Sequence, residues 1–183
     1  EVFEEAASGA LLDQREYLRL QGKPTDGIET DGTFKGWVSP EVCEEFGIAA
    51  TAEQAWEENG GGQFSFKIDK KSLPKHLLAR GWSAAKAHSA TMLRKNPNAY
   101  FYRHVRPGES QAQGEWTEEE HQAFVDTARR FGVGNKWGLF ASYLRHRVGY
   151  QCSQYYREVI IPEGLVLDSR FKLTRDGKAI FVG

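Results

Sequence analysis

Apolar residues recur at helical spacing along most of this chain, and the residues between them cut it into short helices rather than long ones. Phe3, Ala7, Leu11 and Leu18 predict a helix over 2–20, and Lys23 to Lys35, with Pro24, Gly27 and Gly32, reads as a surface loop. Ser39 and Pro40 open a helix that stops at Gly47, with proline in the first turn where its missing amide costs nothing. Thr51 and Gln54 form a capping box for a further short helix containing Trp56, ended by Asn59 and the run Gly60 to Gly62. That glycine run lacks the Lys-Ser/Thr and the preceding strand that a phosphate loop needs. Phe64, Phe66 and Ile68 alternate with polar residues and suit a short strand or an extended arm. Ser72, with Pro74 in the first turn, caps a helix to about Arg80; Gly81 breaks it, and Ser83 begins another to about Lys95. This pair is either a helix-turn-helix or packing scaffold. Residues 96–108 read as an extended arm in which Tyr100, Phe101 and Tyr102 mix with Arg103, His104 and Arg106.

The densest pattern lies in 116–159. Thr117, followed by Glu118, Glu119 and Glu120, is a capping box at the positive end of a helix dipole. Phe124, Ala128 and Phe131 follow at helical spacing until Gly132 and Gly134 stop the run. Asn135 is placed to cap a second helix from Lys136 to about Leu144, buried through Trp137, Phe140, Ala141 and Leu144. Arg145 to Gly149 form a tight turn, and a third helix over 150–159 buries Cys152, Tyr155 or Tyr156, and Val159. Ile160 to Pro162 end the helical pattern. Phe171, Leu173, Ile180 and Val182 then flank Asp176-Gly177, a strong hairpin signal; a lone hairpin is marginal, so it should dock on the helical body or on the strand at 64–68.

Trp116, Trp137 and Tyr156 give each of three successive helices one large aromatic, and together with the WTEEE opening, KWGLFASYL and RVGYQCSQYYR they resemble a Myb/SANT repeat. The resemblance covers about 44 of 183 residues, with Tyr156 where the family usually has its third tryptophan. It implies a mainly α protein with a C-terminal Myb-like three-helix bundle of helix-turn-helix type, a helical N-terminal extension and a small C-terminal β-hairpin. The segments are an acidic helical 1–62, a basic helical 63–108 with its aromatic arm, the Myb/SANT-like 109–162, and the hairpin extension 163–183.

Charge adds a second layer. Residues 1–62 hold 14 acids and 4 bases, whereas 67–106 hold 10 bases and one acid, Asp69. Such asymmetry points to a polyanionic partner, or to the acidic third packing on the basic one. No apolar run approaches the roughly 18 residues of a membrane span. Cys43 and Cys152 read as reduced intracellular thiols, and the opening Glu1 suggests a piece of a longer protein. His76, His88, His104, His121 and His146 have no acid at metal-motif spacing, and nothing else suggests catalysis, a metal or a cofactor.

Two function classes follow from the resemblance. In the first, a nuclear transcription or chromatin regulator reads double-stranded DNA: the third helix presents Tyr150, Ser153, Gln154 and Arg157 to base edges, while Arg145, Arg147 and Lys136 hold phosphates. Lys95, Arg103 and Arg106 from the basic segment extend that phosphate set. In the second, a SANT-like module binds histone tails or a subunit of a chromatin complex. Residues 116–159 carry 6 bases and 5 acids, a near-neutrality that weakens DNA binding by this unit alone.

Overall fold

A computed structural model describes residues 10–59, 71 and 73–183, and within them the chain is helix-rich with a few short strands. The expected strand at 64–68, the Ser72 cap and the run Gly60 to Gly62 lie outside the described residues. Two compact units emerge, each assembled from separated stretches: one from 1–35, 121–135 and 151–183, the other from 36–120 and 136–150.

In the first unit the predicted N-terminal helix is shorter than its apolar spacing suggested. Leu12–Asp13 is a strand (β1), and only Gln14–Leu20 is helical (α1). β1 pairs antiparallel with β4 (Phe171–Leu173), which pairs with β5 (Ala179–Phe181) across the predicted turn. The hairpin is therefore a three-stranded sheet, whose third strand the spacing had assigned to a helix. The presumed loop at 23–35 also contains a strand, β2 (Ile28–Glu29), parallel to β3 (Val166–Leu167). Gln14 explains this closure physically. Its buried amide donates to the carbonyls of Ile161 and Val166 at 3.0 and 2.7 Å and accepts from the Asp168 N–H at 2.8 Å. A buried amide left without these partners would carry a desolvation cost of roughly 1–3 kcal/mol, so it fixes the register it satisfies. Phe34 is fully buried and its ring lies 5.6 Å from that of Phe131.

In the second unit, Pro40–Phe46 (α2) ends on left-handed Gly47, and Ala52–Glu58 (α3) starts with Thr51 accepting from the Gln54 N–H, both as the sequence predicts. Lys75–Ala79 (α4) and Ala84–Ser89 (α5) pack Leu73, Leu77 and Ala87 with Trp82 into a small core. α5 stops short of the expected Lys95. The larger correction concerns the arm. Residues Pro97–Arg103 are a helix (α6), because the Asn96 side chain accepts from the Ala99 N–H and Pro97 sits in the first turn. The aromatic residues had drawn attention away from that cap.

The Myb-like stretch supplies Glu118–Phe131 (α7), Trp137–Ala141 (α8) and Gly149–Tyr155 (α9). α9 continues as a π-helix over Tyr156–Ile160 and then as Ile161–Glu163 (α10) up to left-handed Gly164, so the helix passes through Pro162 instead of ending before it. Asn135 does not cap α8; its side chain accepts from the Phe34 N–H at 2.7 Å, and left-handed Lys136 occupies the capping position. α8 is one turn shorter than its apolar pattern implied, although Leu144 beyond it is buried.

Candidate nucleic-acid interface

α7 begins as its sequence dictates. Thr117 Oγ1 accepts from the Glu120 N–H at 3.1 Å, and Glu120 Oε1 accepts from the Thr117 N–H at 2.8 Å, which satisfies two amides that would otherwise lack partners. α8 is placed by glycine. A Cβ on Gly138 would lie 1.9 Å from the Asn98 carbonyl oxygen, so only glycine lets α8 approach α6 this closely, and Asn98 Oδ1 accepts from the Leu139 N–H. Gly149 repeats the device at the start of α9, where a Cβ would meet the Tyr102 backbone at 2.8 Å. The aromatic helix thus forms a bed for both Myb-like segments of its unit.

On α9 and its continuation, Tyr150, Ser153, Gln154 and Arg157 follow the i, i+3, i+4, i+7 spacing of one face. Gln154 and Arg157 are exposed and Ser153 is half-buried. Gln154 Nε2 donates to Glu158 at 3.1 Å, a contact that a base edge can replace. No hydrogen bond or ion pair engages the Arg157 side chain among the described residues. Tyr150 is more constrained: its hydroxyl accepts from Gln111 at 3.0 Å, and its ring lies edge-on to Tyr102. On the buried side, Phe124 stacks on Tyr156 at 6.2 Å, and the Tyr156 hydroxyl donates to Asp168 at 2.7 Å. Burial pushes the Tyr156 phenol far up, and the adjacent Asp168 charge adds to it. Arg170 donates to both Asp168 oxygens, and these bonds together with the one from Tyr156 outweigh burial and hold that carboxyl below its usual range.

The predicted phosphate contacts divide into three groups. Arg147 and Arg106 are buried and committed to the protein. Arg147 donates to both oxygens of Glu120, at 2.8 and 3.0 Å, and to the carbonyls of Gly114 and Glu115, with Trp116 4.9 Å away under its guanidinium. Arg106 donates to Glu41 at 2.7 Å, which joins the basic segment to the acidic one. A phosphate would have to displace these partners, so neither belongs among the contacts. Arg145 is exposed but forked onto Glu109 at 3.1 and 3.2 Å, and Arg103 lies over the Tyr102 ring at 5.7 Å. Lys95 and Lys136 form the third group: both are exposed, and both line one open cleft with Trp56. Lys136 holds a left-handed conformation, φ 49°, that costs a side-chain-bearing residue roughly 1–2 kcal/mol. Nothing in the apolar pattern marked either that strain or the cleft.

Residues 113–160 are Myb-like: they match the family model described as the Myb-like DNA-binding domain. Myb-related protein B of Gallus gallus is similar as well, 26% identical over 93 residues that make up 51% of this chain. The matched stretch spans only 13% of that protein's length. No solved structure matches this chain.

Proposed function

We propose that this chain is part of a nuclear regulator that binds double-stranded DNA without enzymatic activity, reading base edges with the third helix of its Myb-like segment. The observation that carries the reading is the match to a Myb-like DNA-binding domain over the residues in which Gln154 and Arg157 stand exposed on one helical face. Gln pairs well with adenine and Arg with guanine in the major groove, while Ser153 and the constrained Tyr150 add little discrimination. Lys136 and Lys95 serve as phosphate contacts, and Arg145 joins them when it releases Glu109. Arg147 organises the turn before the reading helix instead of touching DNA.

A salt titration of duplex binding, followed by selection from a randomised duplex pool, tests this. Binding should fall linearly in log affinity against log salt, and the selected sites should lose their preference at one position in Arg157→Ala. The near-neutral charge of 116–159 favours a second reading, a SANT-like module that engages a chromatin protein. Absence of salt-dependent duplex binding by the intact chain would decide for that alternative.

A further inference from the structure

The second unit carries an open cleft of 570 Å³ that the DNA reading does not explain. Trp37, Pro97 and Leu139 contribute to its walls, and Trp56 stands at its side with 62% of its surface exposed. Trp37 is anchored, its indole N–H donating to the Ala49 carbonyl at 2.8 Å, whereas no hydrogen bond or ring contact engages Trp56 among the described residues. An exposed indole beside an apolar cleft loses more water-contacting surface on binding than any other side chain offers, which is why tryptophan recurs at the centres of protein interfaces. The ionisable groups lining the cleft are Lys95 and Lys136, and no carboxylate lines it.

We propose that this cleft docks a peptide segment of a protein partner, one that inserts an aromatic or aliphatic side chain against Trp56 and places carboxylates on Lys95 and Lys136. The volume falls within the range of pockets that take small ligands or a few side chains. Charge separates this occupant from nucleic acid. Glu53, Glu57 and Glu58 lie on the same short helix as Trp56, outside the lining, and all three are exposed. A polyanion tracking across the lysines would run onto these carboxylates, whereas a peptide with an apolar anchor and one or two acids ends before them. Lys95 and Lys136 also belong to the proposed phosphate set, so a bound peptide and a duplex would compete for them.

The test uses the whole chain labelled with 5-fluorotryptophan, which gives one fluorine resonance for each of the five tryptophans. The Trp56 signal is assigned with Trp56→Phe. Two probes are titrated: the blocked hexapeptide Asp-Asp-Phe-Leu-Asp-Asp and its counterpart with lysine in place of every aspartate. The acidic probe should shift the Trp56 resonance selectively, and Trp56→Ala should weaken its binding by about tenfold or more, as a hot-spot truncation does. The double variant Lys95→Glu, Lys136→Glu should prefer the basic probe; both lysines are exposed, so this arm does not depend on Trp56→Ala folding. Equal binding of both probes, no shift at Trp56, or a shift there with duplex DNA but with neither peptide would overturn the proposal. Trp56→Ala should keep duplex binding at the parent level and Arg157→Ala should keep peptide binding, so failure of one reading is visible apart from failure of the other.

Discussion

The turn that carries Arg147 and the helix end that carries Arg157 contain the same residue type ten positions apart, yet they use it in opposite ways. Arg147 has a side chain 2% exposed and spends its guanidinium on Glu120 and two carbonyls, whereas Arg157 is exposed with its donors uncommitted. In sequence both looked like DNA contacts. A cation is available to a ligand only when its own fold has not already satisfied it, and a near-neutral segment can hide both cases behind one net charge.

The strongest way to break the contrast is Arg147→Ala. It leaves Glu120 partly buried without its counter-charge and two carbonyls without a donor, and should cost roughly 3–5 kcal/mol in chemical denaturation. Stability should also depend on acid. Burial pushes the Glu120 carboxyl up, but bonds from Arg147 and the Thr117 amide outweigh it and hold the group below its ordinary 4.5. Its contribution is therefore present above that value and lost as pH falls through the folded one, a fall that Arg147→Ala should flatten. Next in size, Tyr156→Phe removes the hydroxyl facing buried Asp168 and should cost roughly 1–3 kcal/mol in thermal melting. Arg157→Ala should leave the melt within about 0.5 kcal/mol of the parent, while duplex affinity drops by about 1–3 kcal/mol at one position of the site. Equal destabilisation by the two arginine substitutions would erase the distinction. The smallest effect is expected of Lys136→Gly, which relieves the left-handed strain and should stabilise by about 1 kcal/mol while reducing the salt slope of duplex binding by about one.

Local rules were legible where one side chain serves one neighbouring backbone group. The boxes at Thr51 and Thr117, the proline start at Pro40 and the turn around Gly177 all stand as read. Partners distant in sequence were not legible. Nothing in the first twenty residues announces that Gln14 will meet Ile161, Val166 and Asp168, and Leu12 at helical spacing from its neighbours reads identically whether it joins a helix or pairs with Leu173. Asn135 was misassigned for the same reason, since a capping side chain and one that accepts from distant Phe34 look alike in one dimension. For the candidate interface, spacing alone found the exposed face of Gln154 and Arg157. Availability of Arg147 and Arg106 could not be read, because it depends on Glu120 and Glu41 folding back onto them.

The π stretch at Tyr156–Ile160 bears on which length changes this chain tolerates. Cys152, Tyr156 and Ile160 are buried at steps of four residues, whereas an unbroken α-helix would carry each such step about 40° around its axis. The wider π winding takes up part of that drift, so it behaves as one surplus residue absorbed without breaking the rod. Deleting any one of 156–160 would restore a regular helix and still be damaging, because everything beyond it, Asp168 and Arg170 included, would swing by about 100° relative to the face that bears Gln154. Lineages of this chain should therefore gain and lose residues freely in the exposed turn around Gly108, and hold their count fixed between Gln154 and Asp168.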